Sequence, residues 1–140
     1  MALGSITPPV RRFLDSMVVP CVISTLRQDG APITSATWFG FVGEQIIVAT
    51  PAARNKARNV RADARVSFIV DTKEQPYRGV AIEGRAEVLD DHAGELLNAI
   101  MVRYLGEEGA RAAHERFATR GQRVILRITP ERVRPWAIEE

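Results

Sequence analysis

The sequence predicts a mainly β protein of the α+β kind, a small antiparallel barrel with a few helices packed at its openings. Three observations predict it. Short valine- and isoleucine-rich runs follow one another with turn residues between them, as hairpins require. Only one short helical pattern falls between strands, whereas a doubly wound parallel sheet needs a crossover helix after nearly every strand. The longest helical pattern comes late, after most of the strands, and leads into a final strand. An antiparallel barrel satisfies all three.

Taken in order, Pro8 and Pro9 precede a helical candidate over Val10–Ser16. Val18–Leu26 reads as a strand, and Gln28-Asp29-Gly30 as a turn whose glycine supplies positive φ. Ile33–Phe41 is the returning strand of that hairpin. Val42-Gly43-Glu44 makes another turn, and Gln45–Ala49 a third strand. A helix is expected from Thr50 to about Ala62, with Thr50 as its N-cap and Pro51 as its first residue. Arg65–Asp71 alternates, with Val66, Phe68 and Val70 on one face. After a polar loop, Thr72–Pro76, a long strand runs from Tyr77 to Leu89, and Gly84 inside it marks a bulge or a close backbone approach. Asp90 and Asp91 are expected to cap a helix whose apolar stripe is Ala93, Leu96, Leu97, Ile100, Met101, Tyr104 and Leu105, with Gly106 as its stop. A second, weaker helix covers Ala110–Ala118. Gly121 introduces a last strand, Arg123–Thr129, which Pro130 is expected to interrupt before Val133–Ile138.

Composition narrows the function classes. The 140 residues predict one domain, 1–140, without internal repeat or linker. They are 46% hydrophobic and 26% charged, an ordinary globular balance. A net charge of +2 does not by itself point to nucleic acid or an anionic membrane, so any basic site must be local. The stretch Arg54–Arg65 is basic, yet Tyr77 is the one clear aromatic in the loop nearby, so no extended base-stacking platform is expected and no nucleic-acid partner. Cys21 is the single cysteine, which rules out an intrachain disulfide and suits a reducing cytoplasm. Met1–Val10 carries no basic run followed by an apolar one, so no signal peptide is expected, and no segment reaches the roughly 20 apolar residues of a membrane span.

Candidate chemistry concentrates where the third strand gives way to a helix. Unpaired backbone N–H groups of a first helical turn, the positive end of the helix dipole, and Arg54 and Lys56 would face one anion there. On the helix, Arg54, Arg58 and Arg61 share one face while Lys56 and Asn59 share another. The same pattern also describes a solvated basic helix surface. The strand Ile33–Phe39 offers small residues, Thr34, Ser35, Ala36 and Thr37, against which a flat ligand would lie, with Trp38 and Phe39 as walls or as core. Tyr77 and Arg78 open the long strand at a possible pocket rim. His92 and His114 have no partners at metal-ligand spacing, so no metal is expected. G-x-S-x-G, P-loop and G-x-G-x-x-G motifs are absent. So little acid–base machinery fits an enzyme whose cofactor performs the chemistry.

With these residues in place, the chain resembles the split-barrel flavin and deazaflavin oxidoreductases related to pyridoxamine 5′-phosphate oxidase. The resemblance rests on an ordered series: Ser24-Thr25-Leu26, Asp29-Gly30-Ala31-Pro32, Trp38-Phe39, Ala49-Thr50-Pro51, then Arg54, Lys56 and Arg58-Asn59-Val60. It continues through Asp63-Ala64-Arg65-Val66-Ser67, Pro76-Tyr77-Arg78 and Val80–Ala86. The chain looks most like the branch using coenzyme F420, a deazaflavin hydride carrier. That resemblance implies a homodimer with the cofactor at the subunit interface and a small or planar organic acceptor as substrate. It implies that Arg54, Lys56 and Asn59 hold phosphate, with Ala49 and Thr50 beside them. It sets Ser35, Thr37 and Trp38 along the ring and Tyr77 near the tail. An FMN-dependent oxidase, and a non-catalytic carrier of the cofactor or a tetrapyrrole, are the alternatives. No catalytic proton donor is identified.

Overall fold

In the structure, a computed structural model, residues 5–91, 94–117 and 122–138 are described. Seven strands form one antiparallel sheet: β1 (Cys21–Leu26), β2 (Pro32–Thr37), β3 (Gly40–Val42), β4 (Gln45–Pro51), β5 (Arg65–Asp71), β6 (Gly79–Asp90) and β7 (Arg123–Trp136). Their spatial order is β2-β1-β5-β6-β7-β4-β3, and every neighbouring pair is antiparallel. Three helices complete the chain, α1 (Pro8–Ser16), α2 (Asn55–Ala62) and α3 (Glu95–Phe117). This is the expected mainly β, split-barrel architecture.

Period-2 alternation decides what lies inside. Cys21, Ile23 and Thr25 of β1 are buried, as are Val66, Phe68 and Val70 of β5 and Ile46, Val48 and Thr50 of β4. The intervening residues face the other side of the sheet. α1 closes one end with Val10, Phe13 and Leu14, all 5% exposed or less. Burial of each such side chain is worth about 1.5–3 kcal/mol. Thr7 caps this helix through Oγ1, and Pro8 and Pro9 lie within its first turn rather than before it. At its other end Arg103 donates to the carbonyls of Leu14 (2.8 Å) and Met17 (3.1 Å), where a cation also suits the helix dipole.

Three sequence expectations change. The first hairpin is present, but its returning strand stops at Thr37 and resumes as β3 at Gly40. Two adjacent aromatics cause the break. Phe39 turns into the core, edge-on to Phe68 at 5.5 Å, while Trp38 stacks flat on Tyr104 at 4.6 Å. The Phe39 N–H donates to the Tyr104 hydroxyl at 3.2 Å. Second, Thr50 is not an N-cap and Pro51 is not a first helical residue. Both belong to β4, paired with Val124 and Arg123, and the ladder runs on to a hydrogen bond from Ala52 N to Gln122 O. α2 therefore starts at Asn55, with Arg54 in the capping position. Third, Pro130 does not divide the last strand. Gly84 pairs with Pro130 and Glu83 with Arg132, leaving Glu131 as the extra residue of a bulge. Proline lacks a ladder donor and is tolerated at such a bulge. A Cβ on Gly84 would sit 2.3 Å from the Thr129 carbonyl oxygen, which explains the glycine. The late helical pair is present as expected, the span labelled α3 being two helices that meet at Gly106, whose backbone (φ 76°, ψ 173°) is not helical. Asp91, not Asp90, accepts from the N–H groups of Leu96 and Leu97 at its start. His92, Ala93, Ala118 and Gly121 lie outside the described residues.

Candidate cofactor site

Residues 51–54 form a turn closed by Arg54 N donating to Pro51 O at 3.0 Å. α2 then begins without any side-chain cap. The first N–H groups of a helix have no intrahelical partner, and here no side chain takes them over. The loss of Thr50 as a cap thus leaves this helix start more open to an external acceptor than the sequence reading had it.

The two faces of α2 divide its polar residues as expected. Ala57 (0% exposed) and Val60 (4%) pack it on the sheet. Lys56 and Asn59 lie on the half-buried flank, while Arg54, Arg58 and Arg61 are exposed. Lys56 Nζ donates to Ser35 Oγ at 3.1 Å, and Asn59 Nδ2 donates to Thr25 Oγ1 at 3.1 Å. Asn59 therefore ties α2 to β1. Thr25, buried at 1% exposure, is the residue that positions it, and the sequence reading did not single it out for that role. Its signal was a threonine among the inward positions of an alternating strand.

The electrostatics of this corner are those of an uncompensated cation cluster. Among the described residues, Arg54, Lys56, Arg58 and Arg61 form no ion pair with a carboxylate. Burial, and then the charge of Arg54, push the Lys56 ammonium below the usual lysine value, with the nearby Cys21 thiol acting weakly the other way. A half-buried cation with a lowered pKa and no counter-ion gains most from an arriving anion. Cys21 itself is buried, its thiol pushed up to about 12 by desolvation, and it donates to the Thr37 carbonyl at 3.1 Å. It is a core residue and no nucleophile.

Beside the cation corner runs β2. Ser35 and Thr37 share the inward face of β1–β2, opposite Ile23 and Cys21, whereas Thr34 and Ala36 face outward. Thr37, Trp38 and Ala49 come together on a cavity of about 300 Å³, closed by Leu97, Ile100 and Met101 of α3 and by Arg123. One face of the Trp38 indole is occupied by Tyr104, so at most its other face serves a ligand. Ala49 and Thr50 are consecutive in β4 and point to opposite faces. Ala49 joins the α3 side, and Thr50 joins the interior with its Oγ1 buried and unpartnered. Tyr77, 58% exposed, stands on the loop preceding β6. That loop borders a different cleft, of about 860 Å³, lined by the outward residues Val22 and Ala36. Within one chain Tyr77 is thus not gathered with Lys56 and Ser35. The residues of α3, Tyr104 and Arg123 were missing from the sequence-derived site, because nothing local indicates which cavity a late helix covers.

The uncapped helix start and the paired Lys56 and Ser35, with no carboxylate partner among the described residues, fit the phosphate-bearing end of a cofactor. The chain belongs to the pyridoxamine 5′-phosphate oxidase family, whose model matches residues 6–137. A conserved hypothetical protein of Mycobacterium tuberculosis is 27% identical, with a TM-score of 0.81, covering 96% of this chain and 86% of that one. A solved F420 reductase is 25% identical, with a TM-score of 0.70, covering 88% of this chain and 94% of that one. The fold alone is shared with a FAD-binding protein of Mesorhizobium loti at 18% identity, a TM-score of 0.61 and 92% coverage of both chains. The family includes oxidoreductases and binds cofactors of the flavin type. No described helix is long and apolar enough to cross a membrane.

Proposed function

We propose that this protein is an F420-dependent oxidoreductase that transfers a hydride between the deazaflavin and a small or planar organic acceptor. The observation that carries the proposal is the uncapped start of α2 with Arg54 and Lys56 beside it, free of carboxylate partners among the described residues and next to the small polar face of β2. The F420 reductase, similar over most of both chains, supports this choice of cofactor. The deazaflavin, when bound, supplies the hydride chemistry. The chain's own residues do the rest. Arg54 grips phosphate oxygens as a fork and Lys56 acts as a point charge, with the first N–H groups of α2 completing the seat. Ser35 holds the Lys56 ammonium in place. Thr37, Trp38 and Ala49 border the ring, and Leu97, Ile100 and Met101 keep water from that side.

A homodimer belongs to the same proposal. β2 is an edge strand, paired on one side only, and Val18 and Val19 are 45% and 41% exposed beside the 860 Å³ cleft. A second copy covering that cleft brings the Tyr77 loop into a groove between subunits. The second reading, an FMN enzyme on the same seat, is favoured by the family model itself. Titration of the purified chain with oxidised F420, reduced F420 and FMN separates the two, followed by an acceptor screen. Tight F420 binding with weak FMN binding and turnover supports the proposal. A yellow protein that retains FMN on purification and ignores F420 overturns it, and binding without turnover of any acceptor leaves a carrier. Sedimentation of the free and loaded chain tests the dimer.

A further inference from the structure

A second group of unpaired cations lies away from α2. α1 and the 72–78 loop enclose a cleft of about 540 Å³, within the range of roughly 300–1,000 Å³ common to small-ligand sites. Arg12 comes from α1 and Arg78 from the loop, while Pro9, Phe13 and Ile138 supply apolar walls. The ion-paired carboxylates on and beside these two elements are engaged by other cations. Arg11 takes Asp15 at 3.1 Å, and Lys73 takes Asp71 at 3.0 Å. Arg12 and Arg78 have no carboxylate partner among the described residues. The Arg78 guanidinium instead lies 5.4 Å from the centre of the Phe13 ring, a cation–π contact that leaves its N–H edge for an acceptor.

Both cations are mounted on fixed backbone. The loop is closed by Thr72 N donating to Arg78 O at 2.9 Å and by Arg78 N donating to Thr72 Oγ1 at 3.0 Å. α1 is held at its C-terminus by Arg103. Two guanidiniums on anchored backbone beside a half-apolar wall match an anion that also carries hydrocarbon. We propose that this cleft binds an organic carboxylate with an apolar body, at a site separate from the α2 seat and independent of which cofactor occupies that seat. The carboxylate bridges Arg12 and Arg78, and the apolar body lies along Pro9, Phe13 and Ile138.

Calorimetric titration of the full chain tests this, with octanoate and benzoate as probes and acetate and inorganic phosphate as controls. Octanoate should bind at least about tenfold more tightly than acetate, because only it covers the apolar wall. The double variant Arg12→Gln/Arg78→Gln should lose about tenfold or more, each single variant should lose part of that, and the surface control Arg132→Gln should lose nothing. Circular dichroism of the single variants guards against misfolding, since both side chains are exposed. Added F420 or FMN should leave octanoate affinity unchanged. Absence of octanoate binding at millimolar concentration, equal affinity for acetate, or an unaffected double variant would overturn the site. Competitive displacement by either cofactor would overturn its separateness and make the cleft part of the cofactor seat.

Discussion

Lys56→Met should separate cofactor binding from stability. In the free chain the Lys56 ammonium is half-buried, bonded to one hydroxyl 3.1 Å away, and has no carboxylate partner among the described residues. Its lowered pKa means that the fold disfavours the charged form. Methionine keeps the length of the stem and removes a desolvated charge, so the free protein should hold or raise its melting temperature. A hydrogen bond between charged partners is worth about 1.5–3 kcal/mol, so the cofactor should bind about 10–100-fold more weakly. A shallower dependence of affinity on salt should accompany the loss. In the wild type, affinity should fall as pH rises through the Lys56 pKa, at lower pH than an ordinary lysine would show, and Lys56→Met should abolish that limb. The assay is fluorescence titration with F420 across pH and salt, alongside thermal melts of the free protein. Affinity within twofold of wild type, or a melt several degrees lower with binding intact, would refute the reasoning.

Gly84→Ala should destabilise by at least about 2 kcal/mol, read as a lower denaturant midpoint, because the new Cβ meets the Thr129 carbonyl at 2.3 Å where neither backbone can retreat without breaking the bulge. Tyr104→Phe removes a hydroxyl that accepts from Phe39 N and donates to Val19 O at 2.9 Å, and should cost about 1–3 kcal/mol in urea unfolding while the Trp38 stack persists. Cys21 should resist iodoacetamide at neutral pH for as long as the chain stays folded, since burial holds its thiol up at about 12, and rapid labelling of the native protein would contradict its placement.

The residues that made the site legible did so through short-range rules. Alternation in β2 put Ser35 and Thr37 on one face, and helical spacing in α2 put Lys56 and Asn59 on another, and both faces meet in the fold. Gly84 announced its bulge because a side chain has no room there. Gly106 announced the end of a helix because its φ of 76° suits glycine. Tyr77 was legible in the residues as a pocket-rim candidate, but its place near a cofactor came only from the resemblance, since one chain does not bring it to Lys56.

By itself the sequence determined the antiparallel class, the inward face of each alternating strand and the cation cluster after the third strand. These depend on side-chain period and local charge, which no distant partner can alter. Tertiary structure alone decided where α2 begins. Thr50-Pro51 reads locally as a helix entrance, but β7 lies alongside and extends the ladder through Thr50, Pro51 and Ala52. Strand pairing with a segment remote in sequence outweighs one capping hydrogen bond, so Thr50 turns inward and the first turn of α2 is left uncapped.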